Sequence, residues 1–183
     1  RAGEGLALGY LGTIDLSQGH LKRSAEYLSQ AVSIHREVGD RRSEAMHLEL
    51  LGVVFRTQGE NDRARAYYQQ ALKIYRIRRD TASEGMILGN FGNLDFDQGD
   101  YERAIAHYTQ ALEIHRKVGS TRSEAIQLGN IGEAHHKLGR LDEAEACLRR
   151  AIRIGDEVLP YSAGVDRGSL ALILGEQGRL DEA

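Results

Sequence analysis

Seven histidines and one cysteine are the side chains of this 183-residue sequence with the widest chemical repertoire, and each points to a chemistry that its neighbours must complete. His135 and His136 form a local pair, but adjacent residues on a helix point about 100° apart and cannot chelate one ion as residues four apart do. His107 and Cys147 raise a nucleophilic dyad, yet nothing in the sequence orients the histidine and no acid stands in register with it. Alone, Cys147 excludes an intrachain disulfide framework and a cysteine-based zinc knuckle, and it fits a reducing, cytoplasmic compartment. The segments GYLG, GNFG and GNIG have the look of phosphate loops but follow no strand, so the context of a dinucleotide site is missing. Arg76-Ile77-Arg78-Arg79 and the trio Arg149, Arg150 and Arg153 are the concentrated basic patches. The first sits in the last turn of a helix, where cations favour the dipole, and neither has an aromatic platform for nucleic acid. The expectation is a chain with no metal, no cofactor and no catalytic residue.

The elements that would carry these side chains follow from a repeat. Written in rows of 40 from residue 5, the sequence falls into register with itself, and five columns never vary over four rows. They are Leu8/48/88/128, Gly12/52/92/132, Gly19/59/99/139, Ala31/71/111/151 and Ile34/74/114/154. Such a period means stacked supersecondary units, each unable to bury its apolar face alone. Within a row, apolar residues recur at steps of three and four on both sides of a glycine, as in Ile87, Leu88, Phe91, Leu94 and then Tyr101, Ala104, Ile105, Tyr108, Ala111. Each row therefore reads as a helical hairpin, with Gly19, Gly59, Gly99 and Gly139 at the inner turn and Gly39 and Gly119 at the outer one. Helices are predicted over 3–18, 21–38, 41–58, 61–78, 81–98, 101–118, 121–138, 141–158 and 164–177. The absence of Trp and of strand-like alternation excludes a propeller. The columns also serve as a control on the histidines. His35 and His115 share a column with Tyr75 and Gly155, and His107 shares one with Tyr27, Tyr67 and Cys147, so they read as helix-surface or half-buried packing residues. A net charge of −3 leaves no global field for nucleic acid or an anionic membrane, and no stretch reaches the length of a membrane span.

The string LGNFGNLDFDQGDYERAIAHYTQALEI, residues 88–114, resembles a tetratricopeptide repeat. Phe91-Gly92 stands at the family's Leu-Gly pair, Gly99 at the turn, Ala104 and Ala111 at the small positions of the second helix and Tyr108 at the bulky one. The resemblance covers essentially the whole chain and implies an all-α fold, a right-handed α-solenoid. Its repeats would be 1–44, 45–84, 85–124, 125–163 and a partial fifth at 164–183. Arg36, Arg76 and Arg116 replace the family's terminal Pro, which lets the second helix run on by a turn. The long form is similar to the repeats of partner-of-inscuteable adaptors, kinesin light chain and bacterial regulators. Register breaks after residue 155, where Pro160 ends a helix and Gly139 to Gly178 spans 39 residues instead of 40.

In that family the first helix of each hairpin lines a concave surface that binds peptides. The resemblance therefore implies a partner-binding stripe of Arg42, Met46, Glu49, Val53 and Arg56, then Met86, Asn90, Asn93 and Asp97, then Arg122, Ile126, Asn130, Glu133, His136 and Lys137. Asn93 and Asn130 match the two central Asn positions of the family's carboxylate clamp. Gly89, Val165 and Ser169 do not match its cationic ones, so recognition of a terminal carboxylate is not expected. The implied function is a non-catalytic scaffold for a protein or peptide partner, with a peptide-sensing regulatory domain as the alternative, and with no nucleic acid and no membrane. Arg1-Ala2-Gly3-Glu4 and Gly178 to Ala183 align with the interior of a repeat, so the parent array is expected to continue. Leu170, Leu172, Ile173, Leu174 and Leu180 would then leave an apolar end that self-associates end to end.

Overall fold

The computed structural model describes residues 1–182, without the side chain of Leu180. Among the described residues it contains nine α-helices, one short 3-10 turn (Leu180–Glu182) and no strand. The helices are α1 (Ala2–Ser17), α2 (Leu21–Val38), α3 (Arg41–Thr57), α4 (Asn61–Arg78), α5 (Thr81–Asp97), α6 (Tyr101–Lys117), α7 (Thr121–Lys137), α8 (Leu141–Val158) and α9 (Pro160–Glu176). Eight of them match the sequence reading to within a residue at each end. The ninth begins at Pro160 instead of 164. Leu159 leaves helical geometry (φ −148°, ψ 63°) and closes α8, and Pro160 then occupies the first turn of α9, where its missing N–H would be unpaired anyway. The proline ends one helix and starts the next.

The chain divides within α5 into two compact units, Arg1–Asn90 and Phe91–Ala183. In the first, α1 packs on α2, α2 on α3 and α3 on α4, with α1 also touching α3. Its core is Leu28, Ala31, Leu48, Leu51, Ala64, Tyr68 and Ala71, each at most 1% exposed. In the second, α6 packs on α7, α7 on α8 and α8 on α9, with α7 also touching α9. One cluster there joins Tyr108, Leu112, Leu128 and Ile131, and another joins Leu148, Leu170, Ile173 and Leu174. Leu170, Ile173 and Leu174 are therefore covered by α8, against the expectation of an apolar end. Of that group only Leu172 stands out, at 65% exposed, because it points away from the seam. The part of the expectation that falls on the Leu180 side chain lies outside the described residues.

The never-varying glycine before each inner turn is a close-packing device. A Cβ built at Gly132 would lie 2.8 Å from Leu148, and one at Gly92 would be driven into the Tyr108 ring. The two helices of a hairpin approach until the bulky side chain of one fills the space left on the other. Helix starts are fixed by acceptors: the Asp40 carboxylate takes the Ser43 N–H at 3.1 Å, and Asp80 takes that of Ser83 at the same distance. The Ser43 bonds hold the Asp40 carboxyl below its usual range. At the outer turns Gly39 and Gly119 take φ of 75° and 70°, and Arg79 is forced into the same left-handed region at φ 55°.

Candidate functional site

The predicted partner-binding residues lie along the first helices of the hairpins. On α3, Arg42 and Met46 are exposed, while Glu49, Val53 and Arg56 are half-buried; on α5, Met86 is exposed and Asn90 half-buried. The first unit brings two of them together. Glu49 accepts a hydrogen bond from Asn90 Nδ2 at 3.0 Å and another from the Tyr75 hydroxyl at 3.1 Å. Burial pushes the Glu49 carboxyl up while these two donors pull it down. Tyr75 titrates higher than usual, through burial and the neighbouring Glu49 charge. Glu49 is thus a braced carboxylate, and Asn90 keeps its carbonyl oxygen as an acceptor.

In the second unit Asn93 Oδ1 accepts from the Tyr108 hydroxyl at 2.9 Å, which ties this asparagine to the hairpin as well as to any ligand. His136 Nε2 lies 3.0 Å from Glu176 Oε1 on α9. Arg122 and Asp97 are exposed at helix ends. Ile126, Asn130 and Glu133 converge: together with Ser162, Val165 and Asp166 of α9 they line a cavity of about 180 Å³ between α7 and α9. Tyr161, 88% exposed, stands at its rim, and Leu148 of α8 contributes to the lining. Asp166 is 9% exposed and sits against Gly129, where an added Cβ would come within 2.7 Å of its Oδ1. Burial, with the Glu133 charge beside it, pushes the Asp166 carboxyl up to about 6.

Asp166 was not legible as a site residue in the sequence. The one-residue shortening of the last repeat places it in the column of His47, Ile87 and Gln127, all buried. A helical-spacing argument therefore assigns it to packing. The signal that finds it is the preceding glycine. Gly9 makes room for the His47 ring as Gly129 makes room for Asp166.

The structure overturns two expectations about the histidines. His35 and His115 are not surface or half-buried residues; they are 0% and 2% exposed, because the Tyr75 column faces the core. His35 stacks on His47 with ring centroids 5.0 Å apart, and burial followed by the His35 charge lowers His47 to about 4. His107 also has the acid partner the sequence did not reveal. Its Nδ1 lies 2.6 Å from Oδ2 of Asp95, a fully buried carboxylate on the facing helix. Cys147 is half-buried in the cluster of Tyr108 and Ile131, and burial raises its thiol. Among the described residues no three His, Cys, Asp or Glu side chains gather as a metal ion would require.

Larger hollows, of about 430 Å³ each, lie between α2 and α4 in the first unit, over Leu48 and Leu51. Arg36, Arg41, Lys73 and Arg78 rim one of them, but its Glu44 floor is already paired with Arg36 and Arg41. Among the described residues no helix is long and apolar enough to cross a membrane.

Residues 4–77 and 83–157 match the family model described as tetratricopeptide repeat. No curated protein matches the chain. Among solved structures, aspartyl phosphate phosphatase F from Bacillus subtilis superposes with a TM-score of 0.89 at 21% identity, over 98% of this chain and 48% of that one. A Rap protein complexed with Competence and Sporulation Factor gives 0.85 at 23% identity, over 98% and 51%. A protein from Podosopora anserina, described as a kinesin light chain of nearly identical TPR-like repeats, gives 0.77 at 17% identity, over 100% and 90%. At these identities the likeness is one of fold. The chain spans about half the length of the phosphatase and of the Rap protein.

Proposed function

The chain belongs to the tetratricopeptide repeat family, and from that premise we propose that it is a non-catalytic interaction scaffold that holds a peptide or an extended partner segment against the first helices of its hairpins. The observation that supports this reading is the convergence of Ile126, Asn130 and Glu133 on one cavity with α9. An apolar side chain, an amide with both donor and acceptor, and a carboxylate lining a single small hollow suit the side chain and flanking backbone of a bound segment. The test is retention of an immobilised random-peptide pool by the 183-residue chain and by Asn130→Ala. Asn130 is the better probe of the stripe, because Asn93→Ala also strips the Tyr108 hydroxyl of its acceptor. Peptides retained by the parent chain and lost from Asn130→Ala, at an unchanged helical signal, are expected; equal retention by both overturns the assignment.

A second reading is favoured by one observation: the Rap protein above carries Competence and Sporulation Factor. On that reading the chain senses a peptide and controls an attached effector. A ligand-induced change in the scattering profile of the chain is its signature, and a passive scaffold leaves the profile unchanged.

A further inference from the structure

A buried carboxylate in a folded protein is normally met by a cation or by hydrogen-bond donors, because leaving it bare costs several kcal/mol. Within the protein Asp166 is met by neither, and its oxygens reach solvent through the cavity it lines. It is 9% exposed, it lines the α7/α9 cavity, and among the described residues no hydrogen bond or ion pair reaches its oxygens. The charge that acts on it is that of another acid, Glu133, which lines the same cavity from α7. Every basic side chain of α9 is committed elsewhere: Arg167, the one arginine of that helix, pairs with Asp156.

The rest of the lining completes a recognisable chemistry. Asn130, Ser162 and Ser169 offer side-chain oxygens as further acceptors, and the exposed Tyr161 ring stands at the mouth, where an aromatic face attracts a cation. At about 180 Å³ the cavity is smaller than the roughly 300–1,000 Å³ of sites that enclose a whole ligand, and it has room for one side-chain head group. We propose that the α7/α9 cavity is a specificity subsite for a basic side chain, arginine or lysine, of the bound segment, with Asp166 as its primary anchor and Glu133 as the second carboxylate. The inference rests on the reading of the stripe as a segment-binding surface and names the chemistry of the ligand at one end of it. The elevated Asp166 carboxyl agrees with this assignment, since an arriving cation removes the cause of the elevation.

Two measurements test the subsite and separate it from the broader reading. In the first, the 15N-labelled chain is titrated at pH 7.5 with N-acetyl-arginine amide, N-acetyl-lysine amide and the neutral isostere N-acetyl-citrulline amide. Saturable shifts confined to residues 126–133 and 161–169 are expected with a basic derivative and not with citrulline. Asp166→Asn should weaken them at least tenfold with an unchanged helical signal, and Glu133→Gln by a smaller factor. Arginine and citrulline behaving alike, or an unchanged response in Asp166→Asn, overturns the subsite. In the second, retained peptides from the pool are sequenced. Enrichment of Arg or Lys at one position, lost in Asp166→Asn, is expected; retention without that enrichment overturns the subsite and leaves the scaffold reading standing. If no peptide is retained at all, the scaffold reading falls and the titration alone decides the subsite.

Discussion

Arg36 donates through Nε to Oε1 of Glu44 at 2.8 Å, across the outer turn that joins α2 to α3. Arg76 and Glu84 repeat the contact at the same distance, and so do Arg116 and Glu124. The arginine stands where the related repeats carry a proline, so the position that would have stopped the helix instead straps it to the next one. In the fourth row Asp156 and Gly164 replace the pair, and the strap is absent where Pro160 takes over the turn.

The strap is asymmetric. Glu44 is 2% exposed and receives both Arg36 and Arg41, whereas the two arginines are more than half exposed. Arg36→Ala with Arg41→Ala leaves a buried carboxylate bare and should cost about 3 kcal/mol. Glu44→Gln returns the arginines to water and keeps an acceptor, so it should cost about 1 kcal/mol. Urea denaturation of the two variants checks the order, and the reverse order refutes the strap.

Gly92→Leu should destabilise by about 1–3 kcal/mol or more, because even a Cβ there enters the Tyr108 ring. Thr109→Leu, on the exposed face of the same hairpin, should shift the melting point little. Equal melting points would show that the hairpin seam does not run through Gly92.

Acid should weaken the first unit through His47. Its folded pKa, about 4, lies below the ordinary 6.5, so the stability it contributes is present above pH 6.5 and lost as pH falls toward 4. The loss amounts to about 3 kcal/mol at most. His115, lowered by burial, acts in the same direction in the second unit. Melting points of the parent and of His47→Gln between pH 7.5 and 4 should converge as the pH drops; parallel curves would count against a buried neutral imidazole.

Asp166 carries the opposite sign. Its folded value, about 6, lies above the ordinary 3.8, so its contribution is complete below pH 4 and lost as pH rises through 6. Asp166→Asn should therefore stabilise the ligand-free chain at pH 7.5 by up to about 3 kcal/mol, and by almost nothing at pH 4. The same substitution that removes the proposed subsite is expected to raise the melting point, which separates loss of binding from loss of fold.

The helices were legible because their signals are local: a three-four apolar step, a glycine at the turn, an acid at the start. Internal repetition added a second check, since a column that holds Leu, Gly or Ala four times reports one environment. What columns do not report is the relation between two of them. The Asp95 partner of His107, the Glu49–Asn90 bond and the seat of Asp166 on Gly129 each join positions on different helices. Arg79 escaped for another reason. The left-handed turn is imposed by the helices on either side of it, and no residue type announces it when the glycine is missing. The stripe rests on resemblance alone in the sequence, and three of its members meet in one hollow.

The inner turns carry a further pairing that bears on how such a chain tolerates change. Residues eight apart face each other there as Asp15 with Arg23 at 3.3 Å, Phe55 under the Arg63 guanidinium at 3.6 Å, Asp95 with Arg103 at 3.5 Å, and His135 near the Glu143 charge. The first three hairpins thus share an arginine at the second position, and the fourth carries an acid there. A genetic exchange that transfers a whole forty-residue cassette keeps the facing residues matched. A crossover at the turn glycine into the fourth row does not: joining the first half of the second row to the second half of the fourth sets Phe55 against Glu143, and joining the third to the fourth sets Asp95 against Glu143, acid against acid. Exchange at the turn among the first three rows leaves the arginine in place, and the fourth second helix is the one this pairing confines to its own cassette.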